Sequence, residues 1–228
     1  MQKPTLRLQK ENALQKLTSE FPKTNQRIIY NLISTAYQEV DEFVNKKIPD
    51  WMIYGRGKRL IPDLKNSAVE YQLMRACDSK IIKFGYEIEK NKNKSADYLK
   101  LVSSDNSSII TVNQTRNGNK SSRDAIYRND LKDIFQTRFE LFEENVGFTD
   151  MDDIQYYFEI NHGYQSTIPG FSVIGIPDEK RNWYARLRID DNFNVLSAGE
   201  EKDISTVMHD LKGFDGNDFG QFIQSKDE

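Results

Sequence analysis

A chain of 228 residues with 37% hydrophobic and 11% aromatic side chains is long enough to bury a core and too apolar to stay disordered. One cysteine and two histidines exclude a disulfide framework and an ordinary structural zinc site, and no apolar run approaches the roughly 20 residues of a membrane helix. The opening Met1-Gln2-Lys3-Pro4-Thr5 leads into charged residues, so no secretory signal is predicted, and the chain is expected to be cytoplasmic and without membrane contact.

Residues 5–18 predict a first helix, with Leu6, Ala13, Leu14 and Leu17 on one face, closed by Phe21-Pro22. From Thr24 the residues Ile28, Ile29, Leu32, Ile33, Ala36, Tyr37, Val40, Phe43 and Val44 recur at three and four, the mark of an amphipathic helix, with Thr24 or Asn25 as N-cap and Pro49 beyond its end. A long connection over 49–66 follows. Ser67-Ala68-Val69-Glu70 then reads as a capping box opening a helix to about Lys80, in which Cys77 is a core thiol or a reactive one.

Strands are predicted near 82–88, 97–103 and 108–114, then a helix over 122–142 with Ile126, Tyr127, Leu131, Ile134, Phe135, Phe139 and Phe142 on its apolar side. Four more strands are expected at 155–161, 171–176, 183–189 and 193–197. In the third of these, Trp183, Ala185, Leu187 and Ile189 should face one way and Tyr184, Arg186 and Arg188 the other. A helix over 203–212 and a tail carrying Phe214, Phe219, Phe222 and Ile223 end the chain. The fold class is α+β: a helical N-terminus, a mixed or antiparallel sheet with packed helices, and a strand-rich C-terminal half.

Charge divides the chain. Residues 1–128 hold 23 Lys+Arg against 14 Asp+Glu, or plus 9, while residues 129–228 hold 9 against 21, or minus 12. The division suggests a basic helical and α/β region over 1–148 and an acidic strand-rich region over 149–228, or one continuous domain whose halves attract each other. It also points to an anionic partner for the basic half. Two glycine-containing loops concentrate the cations: Arg56, Lys58 and Arg59 in the first, and Arg116, Lys120 and Arg123 in the second. With Trp51 and Tyr54 available for stacking, these residues suit phosphates and unstacked bases, although loop charge is also what solvent exposure alone produces. Gly55-Arg56-Gly57-Lys58 lacks the spacing of a P-loop.

The helix 67–80, three strands, helix 122–142 and strand 155–161 form an αβββαβ order that resembles the core of the restriction-endonuclease-like, PD-(D/E)xK superfamily. The resemblance implies a Mg²⁺-dependent phosphodiesterase or nuclease, with Asp97 as the acid of the second strand and Glu70 as the helix acid. On the third strand, Gln114-Thr115-Arg116 stands where the acid-x-Lys pair belongs. A literal match, Pro177-Asp178 with Glu200-Glu201-Lys202, occurs further on, where Asp178 and Glu200 are also ordinary turn and helix-start residues. Outside this resemblance no cofactor is predicted.

His162, at a strand end before glycine, is a candidate general base or a structural histidine, and His209 beside Asp210 likewise. Asp150, Asp152 and Asp153 lack the remaining ligands of a calcium loop. The expected function is nucleic-acid binding through the two basic loops. The alternatives are a non-enzymatic interaction, inhibitor or assembly protein that uses its acidic half or tail, and the Mg²⁺-dependent nuclease. The wealth of Asn, Lys and Ile suggests an AT-rich source such as a phage or other mobile element.

Overall fold

The computed structural model describes residues 6–47, 49, 54–91, 94, 96–131, 156–163, 166–178 and 180–190. Helix α1 covers Leu6–Glu20 and helix α2 Lys23–Lys46. The three-and-four periodicity does its predicted work in α2, burying Ile28, Ile29, Leu32, Ile33, Ala36, Tyr37, Val40 and Val44 along one side. Pro22, rather than Thr24 or Asn25, occupies the N-cap, because Phe21 is drawn fully into the core and the chain must turn immediately after it.

A 3-10 turn, Gly57–Arg59, leads directly into α3, Leu60–Asp78, so part of the expected 49–66 connection is helical. Pro62 lies in the first turn, where a missing N–H costs no intrahelical hydrogen bond. The Ser67 capping box is therefore not a helix start; Glu70 accepts instead from Asn66 Nδ2 at 2.9 Å. The C-terminus of α3 is sharp. Lys80 takes a left-handed conformation (φ 57°), while the N–H of Ile81 donates to Ala76 O and that of Lys80 to Cys77 O, both at 2.9 Å. Cys77 is buried, and burial pushes its thiol up to about 12, the reverse of an activated nucleophile.

Six strands follow: β1 Phe84–Lys90, β2 Asp97–Ser103, β3 Ser108–Gln114, β4 Tyr156–His162, β5 Ser172–Pro177 and β6 Trp183–Arg188. They form one sheet in sequential order, antiparallel throughout except for β3 and β4, which run parallel from Ser108 opposite Tyr156 to Gln114 opposite His162. A parallel neighbour requires a crossover. The chain from 115 to 155 supplies it, so the sheet takes strands from both sides of residue 148. Within the crossover, residues 126–131 are helical. The rest of the expected 122–142 helix, the 193–197 strand, the 203–212 helix and the tail lie outside the described residues.

The pleat sorts the sheet into two unlike faces. One carries Leu99, Leu101, Ile110, Val112, Phe158, Ile160, Ile174 and Ile176 against the helices in a single apolar core. Phe21 is at its centre, with ring centroids 5.7 Å from Phe84 and 5.4 Å from Phe158. The other face is polar yet buried along β3 and β4, where Thr111, Asn113, Glu159 and Asn161 are covered.

The expected alternation in β6 fails at Trp183 and Tyr184, the latter packing against the core rather than standing with Arg186 and Arg188. A bulge sets Ile176 opposite Ala185 and Pro177 opposite Trp183, which moves Trp183 off the face of Ala185. Its indole instead covers Gly175, where an added Cβ would meet Trp183 Cε3 at 2.5 Å. Only glycine admits that approach.

Candidate functional site

The parallel strands β3 and β4 end together at Gln114 and His162. Three segments converge there. The second basic loop leaves β3, tied by Thr115 N to His162 O at 2.9 Å. The chain after β4 passes Gly163 and Ser166. The N-terminal part of α3 reaches the same end through Lys65, whose Nζ donates to Ser166 O.

Beneath these segments lies a buried polar cluster. Tyr37 Oη donates to Gly163 O, sits 2.9 Å from His162 Nδ1 and accepts from Gln114 Nε2 at 3.3 Å. Because its one proton goes to Gly163, its lone pairs receive the Gln114 amide and the Nδ1–H of His162. That assigns the imidazole tautomer and leaves Nε2 without a proton. Nε2 has no hydrogen-bond partner, nor has the Oγ of Ser172 directly across the β4–β5 ladder. Burial holds the His162 pKa down to about 3 and pushes Tyr37 up to about 12. Lys65 is buried as well, its ammonium 4.9 Å from the centre of the Tyr37 ring and its pKa lowered by burial.

The opposite face is organised by one carboxylate. Glu159 is fully buried and accepts from Ser122 N and Ser122 Oγ, each at 2.8 Å, from Asn161 Nδ2 at 3.1 Å and from Tyr157 Oη at 3.3 Å. Asn113 joins this array through Thr111 Oγ1 and Asn161 Oδ1, and Arg128 Nη1 donates to Asn113 Oδ1 at 2.9 Å. Every carboxylate lone pair has a donor, so the array is a structural anchor. It fixes the course of the second basic loop over the sheet.

That course brings further cations alongside. Arg186 Nη1 donates to Gly118 O at 2.8 Å and Asn119 Oδ1 at 3.1 Å, Trp183 Nε1 reaches the same Gly118 carbonyl at 3.1 Å, and Ser121 N donates to Arg181 O at 3.0 Å. Arg116, Lys120 and Arg123 are exposed, and Arg181 and Arg186 extend them along the β5–β6 hairpin. Arg56, Lys58 and Arg59 are exposed too, on the 3-10 turn before α3. Arg59 lies six residues before Lys65, about 9 Å of helix rise, and so projects past the sheet at the end where Thr115 and Arg116 begin. The chain before α3 and the start of the second loop at Arg116 therefore leave the same end of the sheet, and from there the second loop crosses the polar face to Ser121, bonded to Arg181 in the β5–β6 turn at the other end.

Asp97 is exposed opposite Lys90, and the β2–β3 ladder runs only from Lys100 opposite Thr111 to Val102 opposite Ile109, so the two strands part toward Asp97 and Gln114. Tyr127 stacks on Tyr98 beside this opening, at 3.9 Å. Asp178 serves its own turn, accepting from the backbone and side-chain amides of Asn182. Among the described residues no three His, Cys, Asp or Glu side chains are grouped to hold a metal ion. Glu70 lies on α3, where it accepts from Asn66 Nδ2 at 2.9 Å. Glu200, Lys202, His209, Trp51 and Asp150–Asp153 lie outside the described residues.

From the sequence Tyr37 is a core residue of a helix and Arg186 an outward residue of a strand, and neither they nor Lys65, Arg128 and Arg181 stand out as site residues. For Arg186 the alternation of β6 was a usable signal; the others depend on contacts between distant segments. No known family model, no curated protein and no solved structure matches the chain. No described helix is long and apolar enough to cross a membrane.

Two predictions follow from the buried groups. Glu159→Gln sets an amide NH₂ against donors and should lower unfolding free energy in urea by about 2–4 kcal/mol. The His162 pKa is depressed in the folded protein relative to 6.5, so its contribution is complete above pH 6.5 and lost as pH falls toward about 3. Over that window stability should fall by up to about 1.4 kcal/mol per pH unit more steeply in the native protein than in His162→Gln, read from denaturation curves at successive pH values.

Proposed function

We propose that the protein binds nucleic acid on the end of the sheet where its two basic loops come out together. The convergence of Arg56, Lys58 and Arg59 with Arg116 carries this reading, because cations scattered over a surface are merely solvated, whereas cations gathered on one end can follow a phosphate backbone. Beyond Arg116 the second loop runs over the polar face toward the β5–β6 turn at the opposite end, so Lys120 and Arg181 lie away from this surface.

The αβββαβ resemblance supports the reading as a scaffold. The helix α3, strands β1 to β3, the helical residues 126–131 and strand β4 occur in the expected order. Nuclease chemistry receives no such support from the side chains, since Gln114 replaces the third-strand acid and Glu70 and Asp97 are not joined by a third ligand among the described residues. Binding without cleavage is the function we assign.

A released counterion for each neutralised phosphate sets the salt dependence of such binding. Arg56→Ala with Arg116→Ala should weaken binding of a labelled oligonucleotide, measured by anisotropy over a salt series. The slope of log affinity against log salt should become shallower by about 1–2. A slope equal to that of the unmodified protein would contradict the assignment.

A further inference from the structure

The basic end also carries a group that phosphate contact does not require. Tyr54 is 68% exposed, the highest value among the exposed large hydrophobic side chains, and it stands two residues before Arg56. Its position is set by backbone geometry. Gly55 takes a left-handed conformation (φ 58°), Gly57 N donates to Tyr54 O, and Arg59 N donates to Arg56 O, both at 3.1 Å. This turn presents the ring and the cations on one short segment. Two more apolar side chains lie at the same end: Leu60, 46% exposed in the first turn of α3, and Ile168, 59% exposed two residues beyond the Ser166 carbonyl that holds Lys65. Exposing a phenol ring and two aliphatic side chains among arginines is unfavourable in water, and a flat apolar partner that also bears negative charge relieves it.

We infer that the ligand of this end is single-stranded nucleic acid, one base of which stacks on Tyr54 while Arg56 and Arg59 hold the adjoining phosphates. This rests on the nucleic-acid reading above and narrows it. A duplex keeps its base faces stacked inside and offers its grooves to a helix or a β-ribbon, whereas the cations here sit on turns. A single strand offers base faces and phosphates in alternation, which matches a ring followed by cations. Stacking tolerates any base, so little sequence preference is expected.

The test uses the full chain, a labelled oligothymidylate of about 20 nucleotides and a mixed-sequence duplex of equal length, with anisotropy at fixed salt. The unmodified protein should bind the single strand about tenfold more tightly than the duplex. Tyr54→Ala should lower single-strand affinity by about tenfold and leave duplex affinity within about twofold, while Tyr54→Phe, which keeps the ring, should restore the single-strand value. Equal affinity for both forms, or equal losses on both in Tyr54→Ala, would overturn the inference. If the Arg56 and Arg116 substitutions still flatten the salt slope in that event, general nucleic-acid binding stands without it. Absence of binding to either form at low salt would overturn both.

Discussion

A carboxylate sealed from water must have its lone pairs answered, and Glu159 in the middle of the parallel strand pair imposes that demand on everything around it. Its donors come from its own strand, at Tyr157 and Asn161, and from Ser122 in the crossover. The first pair ties β4 to β3 through Asn113 and Thr111. The Ser122 bonds bring the loop after β3 down onto the sheet instead of out into solvent. Once Ser122 is fixed, the positions of Arg116 and Lys120 are confined to the path between Gln114 and the anchor, with Arg123 immediately beyond it, and the hairpin bonds at Gly118 and Ser121 complete that path.

The helical side of the sheet completes the arrangement by a different route. Tyr37, from the surest helix of the sequence, is fully buried with its hydroxyl at the ends of β3 and β4. Lys65, from α3, sits over the Tyr37 ring and holds the chain after β4. These contacts orient α3 so that its preceding turn overhangs the strand ends. The turn before α3 and the start of the second loop at Thr115 and Arg116 are thus set at one end of the sheet, while the Glu159 cluster carries the rest of that loop over the polar face toward the β5–β6 turn. Neither cluster touches a ligand by this account; both are positioning devices for an exposed surface.

Much of this fold was legible in local pattern. The α2 stripe and the strands β2 and β3 fall where periodicity puts them, because a half-buried element needs its apolar residues at a fixed spacing. The start of α3 was misplaced because Ser67-Ala68-Val69-Glu70 has the local pattern of a capping box, whereas the helix begins at Leu60 and carries Pro62 in its first turn, where proline breaks nothing. Trp183 was assigned to the wrong face because a single bulge inverts an alternation that sequence alone cannot interrupt. The loop cations were visible as composition, while their meeting at one end was not, since it depends on contacts such as Lys65 with Ser166 and Tyr37 with Gly163 that span 101 and 126 residues. His162 illustrates the same limit. Its place before Gly163 suggested a presented base, whereas burial, with Tyr37 Oη beside its Nδ1, makes it a neutral partner in the interior.

The claim on which the account turns is that one end of the sheet is the contact surface. Amide hydrogen exchange of the full chain, with and without a saturating oligonucleotide, examines it directly. Added protection should appear together in 54–60 and 115–117, and strand β1 at the far edge of the sheet should be unchanged. Protection confined to β1, or to only one of the two loops, would contradict it.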